Sequence, residues 1–371
     1  MAQTILAAVA HGIQAPLTLE RVAIDEPRPG EVLVRVVAAG VCHTDMAMRD
    51  QELPVPAPAV LGHEGSGVVE RVGAGVTAVA PGDRVVMSFN SCGTCPSCAD
   101  GLPSYCHDFF ARNFSGRRAD GSSGLAWGRD TLGANIFGQS SFATRALCHE
   151  RNVVKVPGTV PLDILGPLGC GVMTGAGAVI NALAVRSGRS LAVFGAGAVG
   201  LSAVMAGKVV GAGAIIAVDV VDHRLDLARD LGATHTFNPK RDDVVAAILA
   251  LTGMGVDYAL DTTARPAVVG DATRCLAPRG VCGLLGALRF GEPLPIDGGH
   301  LLSGGRTVRG IVEGDADPQR FIPQLVDLYQ RGLFPFDRLI TFYPLDAIND
   351  AIRDSETGRT VKPVVRMPDA V

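Results

Sequence analysis

The chain has 371 residues, with 33 Lys and Arg against 37 Asp and Glu and a formal net charge of −4. At about 150 residues per domain the length implies two to three domains, and 47% hydrophobic against 19% charged residues excludes a disordered chain. A faintly acidic balance without a basic run excludes an electrostatic footprint for nucleic acid.

The N-terminus, MAQTILAAVAHG, has no basic n-region and too short an apolar run for a signal peptide, so the expected compartment is the cytoplasm. From Ile5 to about Val86, short runs alternate between Gly and Pro turns. Val32–Val37 and Gly67–Val72 read as strands, and Pro-Gly pairs at 29–30 and 81–82 punctuate them. That spacing predicts a small all-β barrel or sandwich. Cys42-His43-Thr44-Asp45 and Gly62-His63-Glu64 fall in turns that follow candidate strands.

Residues 89–142 are different in kind. They concentrate Phe89, Tyr105, Phe109, Phe110, Phe114, Trp127, Phe137 and Phe142 among polar and glycine-rich text, which reads as long loops with aromatic walls. The same stretch holds Cys92-x2-Cys95-x2-Cys98-x7-Cys106. Nine cysteines, an odd number, in a large chain without a signal argue against a disulfide scaffold. Four thiolates so close can close a tetrahedron around Zn²⁺. An iron–sulfur cluster of the bacterial type needs its fourth Cys three residues on, followed by Pro, and here His107 follows Cys106. A closed four-sulfur site has no open position, so this zinc would be structural.

Two apolar stretches, Ile164–Val185 and Leu191–Gly207, carry no charge. Pro167, Asn181 and five glycines interrupt the first, and Gly195, Gly197 and Gly200 the second, so both read as buried parallel-sheet core and not as membrane spans. Strand–helix alternation follows. Leu191–Phe194, Ile215–Val218, Asp257–Leu260 and Gly280–Leu285 are the expected strands, and Val199–Val210 and Arg224–Leu231 the expected helices. This is the rhythm of a doubly wound parallel sheet. Between its first strand and helix lies Gly195-Ala-Gly197-Ala-Val-Gly200, and Asp219 ends the next strand about twenty residues on. In that context Gly195 makes the tight turn, Gly197 lets the backbone approach a pyrophosphate and Gly200 allows close helix–sheet packing. Asp219 would accept hydrogen bonds from ribose hydroxyls and repel a 2′-phosphate, favouring NAD over NADP, with Arg224 flanking the adenosine. Past about Asp315 an amphipathic helix over Phe321–Tyr329 leads to short mixed elements and a strand at Val361–Val365.

Cys42, His63 and Cys170 together would make a zinc site with its fourth position open, a catalytic arrangement. Spacing alone leaves the alternative of small core thiols and a hydrogen-bonded histidine. The remaining Cys148, Cys275 and Cys282 read as core thiols.

Taken in order, Gly40-Val-Cys-His-Thr-Asp45, Gly62-His-Glu-Gly-Ser-Gly67, the four-Cys lobe, Gly166-Pro-Leu-Gly-Cys170, the glycine fingerprint and Asp219 resemble the zinc-dependent medium-chain alcohol dehydrogenases. The resemblance runs over essentially the whole chain. Within that family Phe109–Gly116, Gly138–Thr144 and Pro167–Gly175 look most like the aryl (benzyl) alcohol dehydrogenase branch. It implies an α/β protein with a GroES-like β-barrel catalytic domain at 1–160, a Rossmann NAD-binding domain at 161–314, and a segment at 315–371 that returns to the barrel. Cys42, His63 and Cys170 would hold the catalytic zinc, with Glu64 behind it and Asp45 orienting His63, and Cys92, Cys95, Cys98 and Cys106 would hold a second zinc. The implied reaction is reversible oxidation of a primary alcohol to its aldehyde. Zinc lowers the pKa of the hydroxyl, Thr44 takes the proton, and a hydride passes to NAD⁺. A homo-oligomer, dimer or tetramer, is implied as well, with the strand around Val308–Val312 as a sheet edge.

The sequence departs from the family at two places. Many relatives end their proton relay in a histidine where this chain has Ala47, leaving His43 as either a substitute relay or a contact to the cofactor pyrophosphate, the latter favoured. Asp261-Thr-Thr-Ala-Arg265 lacks a glycine that relatives commonly carry after the Thr. For the substrate, Phe89, Phe109, Phe110, Phe114 and Trp127 could wall a flat pocket, with Ser88 leaving room beside them. These rings would equally serve to pack the loop. An aromatic alcohol is the expectation, a terpenoid alcohol such as geraniol the near rival, and a non-catalytic NAD(P)H-binding protein the distant one.

Overall fold

The computed structural model describes residues 3–128 and 130–368. Its chain divides into two compact units, one comprising 1–170, 317–330 and 337–371, the other 171–316 and 331–336.

The first unit is built on two sheets. In the larger, strands run in the order Val153–Lys155, Arg84–Met87, Glu64–Val72, Glu31–Gly40, Lys362–Arg366 and Ile340–Pro344, and Arg145–His149 also pairs with Glu31–Gly40. Val32, Leu33, Val34, Val36 and Ala38 are buried, so the central strand reads as a nearly continuous apolar run. The smaller sheet runs Ala59–Val60, Gln3–Ala10, Thr18–Ile24, Leu125–Trp127 and Asp130–Thr131. The strand from the C-terminal part of the chain lies antiparallel to Glu31–Gly40, with Val364 opposite Gly40, and the Val41 amide donates to Pro363 at 2.9 Å. This pairing fixes the turn from which Cys42 emerges.

The second unit holds six parallel strands in the order His235–Phe237, Ala214–Val218, Ser190–Phe194, Val256–Asp261, Leu276–Leu284 and Thr307–Gly310. The first strand in sequence is central and the order reverses beside it, which is the doubly wound Rossmann arrangement. Helices Ala198–Val209 and Asp222–Leu231 follow the first two strands, the second ending at Gly232 with φ 127°. Phe194, Ile216, Val218, Ile248, Ala259, Cys275 and Cys282 form the core on one side of the sheet.

The stretch 164–185 differs from the expected sheet core. It is buried as far as Val179, but it forms 3₁₀ turns, a helix at Gly171–Gly177 and a π-helical turn at Ala178–Ala182. A continuous apolar run does not by itself distinguish strand from helix. Here glycine decides the packing: a Cβ at Gly175 would overlap the Val199 carbonyl of the neighbouring helix. Among the described residues no helix is long and apolar enough to cross a membrane.

Candidate active site and metal centres

Cys42, His63, Glu64 and Cys170 converge in the first unit, with one ligand atom from each within 4.8 Å of the others. Cys42 precedes the helix His43–Arg49, and His63 and Glu64 enter the strand Glu64–Val72. Cys170 ends the turn Gly166–Gly169. Asp45 ties the group together from a fully buried position. One of its oxygens accepts from His63 Nδ1 at 2.8 Å and the Gly62 amide at 3.0 Å; the other accepts the Cys42 amide at 3.0 Å. With Nδ1 committed to a carboxylate, His63 turns Nε2 toward the sulfurs, where it is buried without a hydrogen-bond partner in the protein. A buried orphan nitrogen costs free energy unless something binds it. A divalent cation among two thiolates, an imidazole and a nearby carboxylate satisfies it, so the donor set fits zinc.

Electrostatics point the same way. A hydrogen bond from Cys170, with Lys362 and His63 close by, holds the Cys42 thiol well below its usual pKa despite burial. Burial opposes the charge on His63, yet Asp45 and Cys42 raise it well above the ordinary histidine value. The sequence analysis missed Lys362. Its Nζ donates to both Glu64 oxygens at 2.9 Å and to the Val41 carbonyl at 3.2 Å, and the whole pair is buried. Burial raises the Glu64 carboxyl while Lys362 pulls against that shift. Thr44 places its hydroxyl 3.9 Å from Cys42 Sγ, whereas His43, at the first turn of the same helix, is exposed. Ala47 is buried.

Among the aromatic candidates, the structure separates wall from surface. Phe137 stacks on His63 with centroids 4.5 Å apart, and Phe114 stands edge-on to Phe137 at 5.1 Å. Phe109 joins both and bridges to Phe89 at 5.6 Å. Phe137 adopts φ 49°, in a loop where Asn135, Gly138 and Ser140 are also left-handed. Such strain persists where surrounding contacts over-determine it and concentrates at functional sites. Gln139 provides such contacts, donating to the His63 carbonyl at 2.9 Å and accepting the Gly65 amide at 3.0 Å. Trp127 is not brought to these rings; it is 42% exposed on the smaller sheet, edge-on to His11. Ser88 is fully buried, and its hydroxyl donates at 2.6 Å to the carbonyl of Gly169, next to Cys170.

The four sulfurs of Cys92, Cys95, Cys98 and Cys106 also lie within 4.8 Å of one another. Backbone amides support them: Thr94 and Cys95 donate to Cys92 Sγ at 3.4 and 3.2 Å, and His107 donates to Cys95 Sγ at 3.5 Å. The Thr94 and Cys95 donors bring Cys92 down to about 5, while burial pushes Cys98 up to about 12. Without a cation, four crowded sulfurs cannot all ionise, so a divalent metal fits this set as well.

In the second unit Gly195 has φ 97°, and a Cβ there would overlap the Thr262 hydroxyl. A Cβ at Gly200 would overlap the Gly195 carbonyl, whereas one at Gly197 would meet open space. Asp219 accepts the Ala196 amide at 2.7 Å and the Val221 amide at 2.9 Å, which fixes its carboxylate beside the loop. Arg224 lies in the first turn of the next helix, with its Nε buried and lacking a hydrogen-bond partner. In Asp261-Thr-Thr-Ala-Arg265 the left-handed residue is Ala264, with φ 54°.

Two family descriptions match the chain: an alcohol dehydrogenase GroES-like domain over residues 28–158 and a zinc-binding dehydrogenase over 198–331. A geraniol dehydrogenase of Castellaniella defragrans is 49% identical over 361 residues, covering 97% of this chain and 96% of that protein. The benzyl alcohol dehydrogenase of Acinetobacter calcoaceticus is 49% identical in its crystal structure, with a TM-score of 0.96 over 99% of this chain and 100% of that one. An alcohol dehydrogenase zinc-binding domain protein from Burkholderia ambifaria is 56% identical, with a TM-score of 0.98 over 99% and 100% of the two chains. The chain belongs to the zinc-dependent medium-chain alcohol dehydrogenases, GroES-like domain followed by Rossmann domain.

Proposed function

We propose that this alcohol dehydrogenase oxidises a primary alcohol of the benzyl alcohol type to its aldehyde with NAD⁺, reversibly. The observation that carries the reading is His63, whose orphan Nε2 sits among Cys42, Cys170 and Glu64 while its ring is stacked on Phe137. Cys42, His63 and Cys170 would hold a zinc ion, which would supply the Lewis acidity that lowers the pKa of an alcohol hydroxyl, and NAD⁺ would supply the hydride acceptor. The protein's own groups do the rest. Asp45 keeps the proton on His63 Nδ1 and so fixes the tautomer. Thr44 takes the proton of the substrate hydroxyl. Ala47 cannot pass it on. His43, exposed at the helix start, contacts the cofactor pyrophosphate and does not complete a relay. Phe137, Phe114 and Phe89 offer apolar faces against which a flat ring stacks.

Cofactor choice follows from Asp219. Its carboxylate, held by two backbone amides, accepts ribose hydroxyls and repels a 2′-phosphate, and the open face at Gly197 with the following helix N-terminus takes the pyrophosphate. Arg224 flanks the adenosine. A second zinc on Cys92, Cys95, Cys98 and Cys106 clamps the loop. The enzyme works as a homo-oligomer in the cytoplasm, where its metal-directed thiols stay reduced. Support for assembly comes from the sheet edge at Thr307–Gly310 and from Phe290 and Leu302, exposed at 88% and 86% in the preceding segment.

A terpenoid primary alcohol is the second reading. The geraniol dehydrogenase relative favours it, and an all-phenylalanine wall accommodates an isoprenoid chain as readily as a ring. Initial rates with benzyl alcohol, geraniol, 1-hexanol and ethanol, with zinc counted on the same sample, decide between them. Two zincs per chain with benzyl alcohol leading on kcat/KM is the expected result. Geraniol in the lead would move the substrate and leave the chemistry, while one zinc and no turnover would sink the assignment of the site. His43→Ala should raise KM for NAD⁺ and leave the pH profile of kcat in place; a displaced profile would make His43 a relay.

A further inference from the structure

We propose that Asn152 is a positioning residue for the substrate ring: its buried amide holds the left-handed peptide of Phe137 and so sets the aromatic wall beside His63. The proposal rests on the benzyl alcohol reading above and adds to it a residue that no cysteine, glycine or aromatic pattern picks out.

The sheet places the residue. Asn152 ends the 3₁₀ turn Glu150–Asn152, and Val153–Lys155 beyond it pairs antiparallel with Arg84–Met87. Its carbonyl carries that ladder one step further, accepting the Ser88 amide at 2.9 Å. The side chain has no exposure, and its Nδ2 donates to two carbonyls, those of Phe137 at 3.0 Å and Ser88 at 3.1 Å. Two carbonyl partners require the nitrogen at that position, so the neighbours settle which way the amide points.

The Ser88 carbonyl is a hub. Gln139 Nε2 donates to it at 3.3 Å and to the His63 carbonyl at 2.9 Å. The Ser88 hydroxyl reaches the Gly169 carbonyl, next to Cys170. One backbone segment thus ties together the His63 peptide, the Cys170 turn and, through Asn152, the peptide of Phe137.

Phe137 needs such a tie. Its backbone, at φ 49° and ψ 33°, lies in the left-handed region, which an L side chain enters at a cost and keeps only where contacts over-determine it. A bond to the Phe137 carbonyl fixes the peptide between 137 and 138, hence ψ of the first residue and φ of the second. The approach is close: a Cβ at Gly138 would overlap the Asn152 amide nitrogen. Released from that bond, Phe137 can relax toward extended or right-handed backbone. Its ring then leaves the face of His63, on which it is stacked with centroids 4.5 Å apart. Packing does not explain the asparagine. Its Oδ1 is buried with no hydrogen-bond partner among the described residues, a penalty that an isosteric leucine avoids. The two donors are what the position gains. A phenylalanine ring fixed beside the metal ligands offers a planar face to a benzylic substrate, whereas a wandering ring does not separate flat from puckered.

The test measures benzyl alcohol, cyclohexylmethanol and ethanol oxidation with NAD⁺ on the full-length zinc enzyme. The first two share a carbon skeleton and differ in a flat or puckered ring; ethanol has no ring to place. The wild-type protein should favour benzyl alcohol over cyclohexylmethanol on kcat/KM. Asn152→Leu should lower that ratio about 3–10-fold, the range for lost hydrogen bonds. The change should come through KM for benzyl alcohol and move ethanol far less. In a Phe137→Ala background the same substitution should no longer shift the ratio, because the ring it positions is gone. Asn152→Asp, kept protonated by burial and so retaining one donor, should keep part of the ratio and serves if the leucine variant does not fold. A ratio unmoved in both variants, an equal loss on all three alcohols, or a shift that persists without the Phe137 ring overturns the assignment and leaves a structural asparagine. A wild-type protein that does not favour benzyl alcohol over cyclohexylmethanol would instead overturn the aromatic-substrate reading, and this proposal with it.

Discussion

Cys92, Cys95, Cys98 and Cys106 reach one another within a single loop, whereas Cys42, His63, Glu64 and Cys170 arrive from three separate turns of the same unit. Their support differs accordingly. The lobe sulfurs are steadied by amides of their own loop, from Thr94, Cys95 and His107. Around the dispersed set the support is buried side chains drawn from far along the chain: Asp45 on His63, Lys362 on Glu64, Ser88 on the Cys170 turn. A local site can organise itself with few long-range contacts. A dispersed site exists only once the barrel has formed, and it gains from that a mixed donor set and neighbours that can take part in chemistry.

Replacing one sulfur in each set tests this difference most severely. Cys170→Ser should lower kcat/KM by about 10³-fold or more, since it removes a ligand of the metal that supplies several kcal/mol to the reaction. The melting temperature should move little, because the turn remains tied by Ser88. Cys98→Ser should do the reverse: zinc falls to one per chain and the melting temperature drops, with rate per remaining zinc largely kept. Rates, metal content and thermal unfolding on the same two preparations check it. Equal losses of rate and stability in both variants would collapse the distinction between a reacting and a clamping metal.

Lys362→Met probes the buried support instead of the ligands. It leaves the Glu64 carboxylate without its cation in a site with no exposure, and removing one partner of such a pair costs about 3–5 kcal/mol. Urea unfolding should show a loss of that order, and Lys362→Arg should restore most of it. Among the described residues no buried ion pair holds the lobe, so an equally large loss from Arg151→Met, whose guanidinium lies over Gly93, would contradict the contrast.

How far each region was legible in the sequence follows from the same difference. Four cysteines in one loop, and glycines between an apolar strand and a helix, carry their geometry in local spacing. Five of the six strands of the parallel sheet were readable for the same reason, whereas His235–Phe237, three residues long and none of them buried, has no apolar run to announce it. Lys362 was not: its strand was expected, but nothing near it hints at Glu64, 298 residues away, which only the pairing with Glu31–Gly40 brings close. Phe137 was one aromatic among many, since a left-handed backbone at a phenylalanine leaves no signature in composition. Trp127 was misleading because alternation along so short a strand does not say which face points outward. The run 164–185 was read as sheet core because apolarity without period leaves helix and strand undecided.

The gentlest probe of the two clusters is the reactivity of their thiols. Burial pushes Cys275 and Cys282 up to about 12, and Cys148 higher still, so near pH 7 they remain protonated and slow to alkylate. Cys92 lies at the other extreme, brought down to about 5 by amides of its own loop. A lowered value means that the thiolate is already formed above that pH, so its alkylation should hardly change between pH 8 and pH 6. An ordinary thiol, with a pKa near 8.5, slows almost tenfold per unit over the lower part of that range. In metal-stripped protein treated with sub-stoichiometric iodoacetamide, peptide mapping should find Cys92 labelled ahead of Cys98, and the three core thiols untouched until the chain is unfolded. Even labelling across the lobe would mean that its amide donors do not persist without zinc, and that the loop depends on its metal as fully as the dispersed site depends on the barrel.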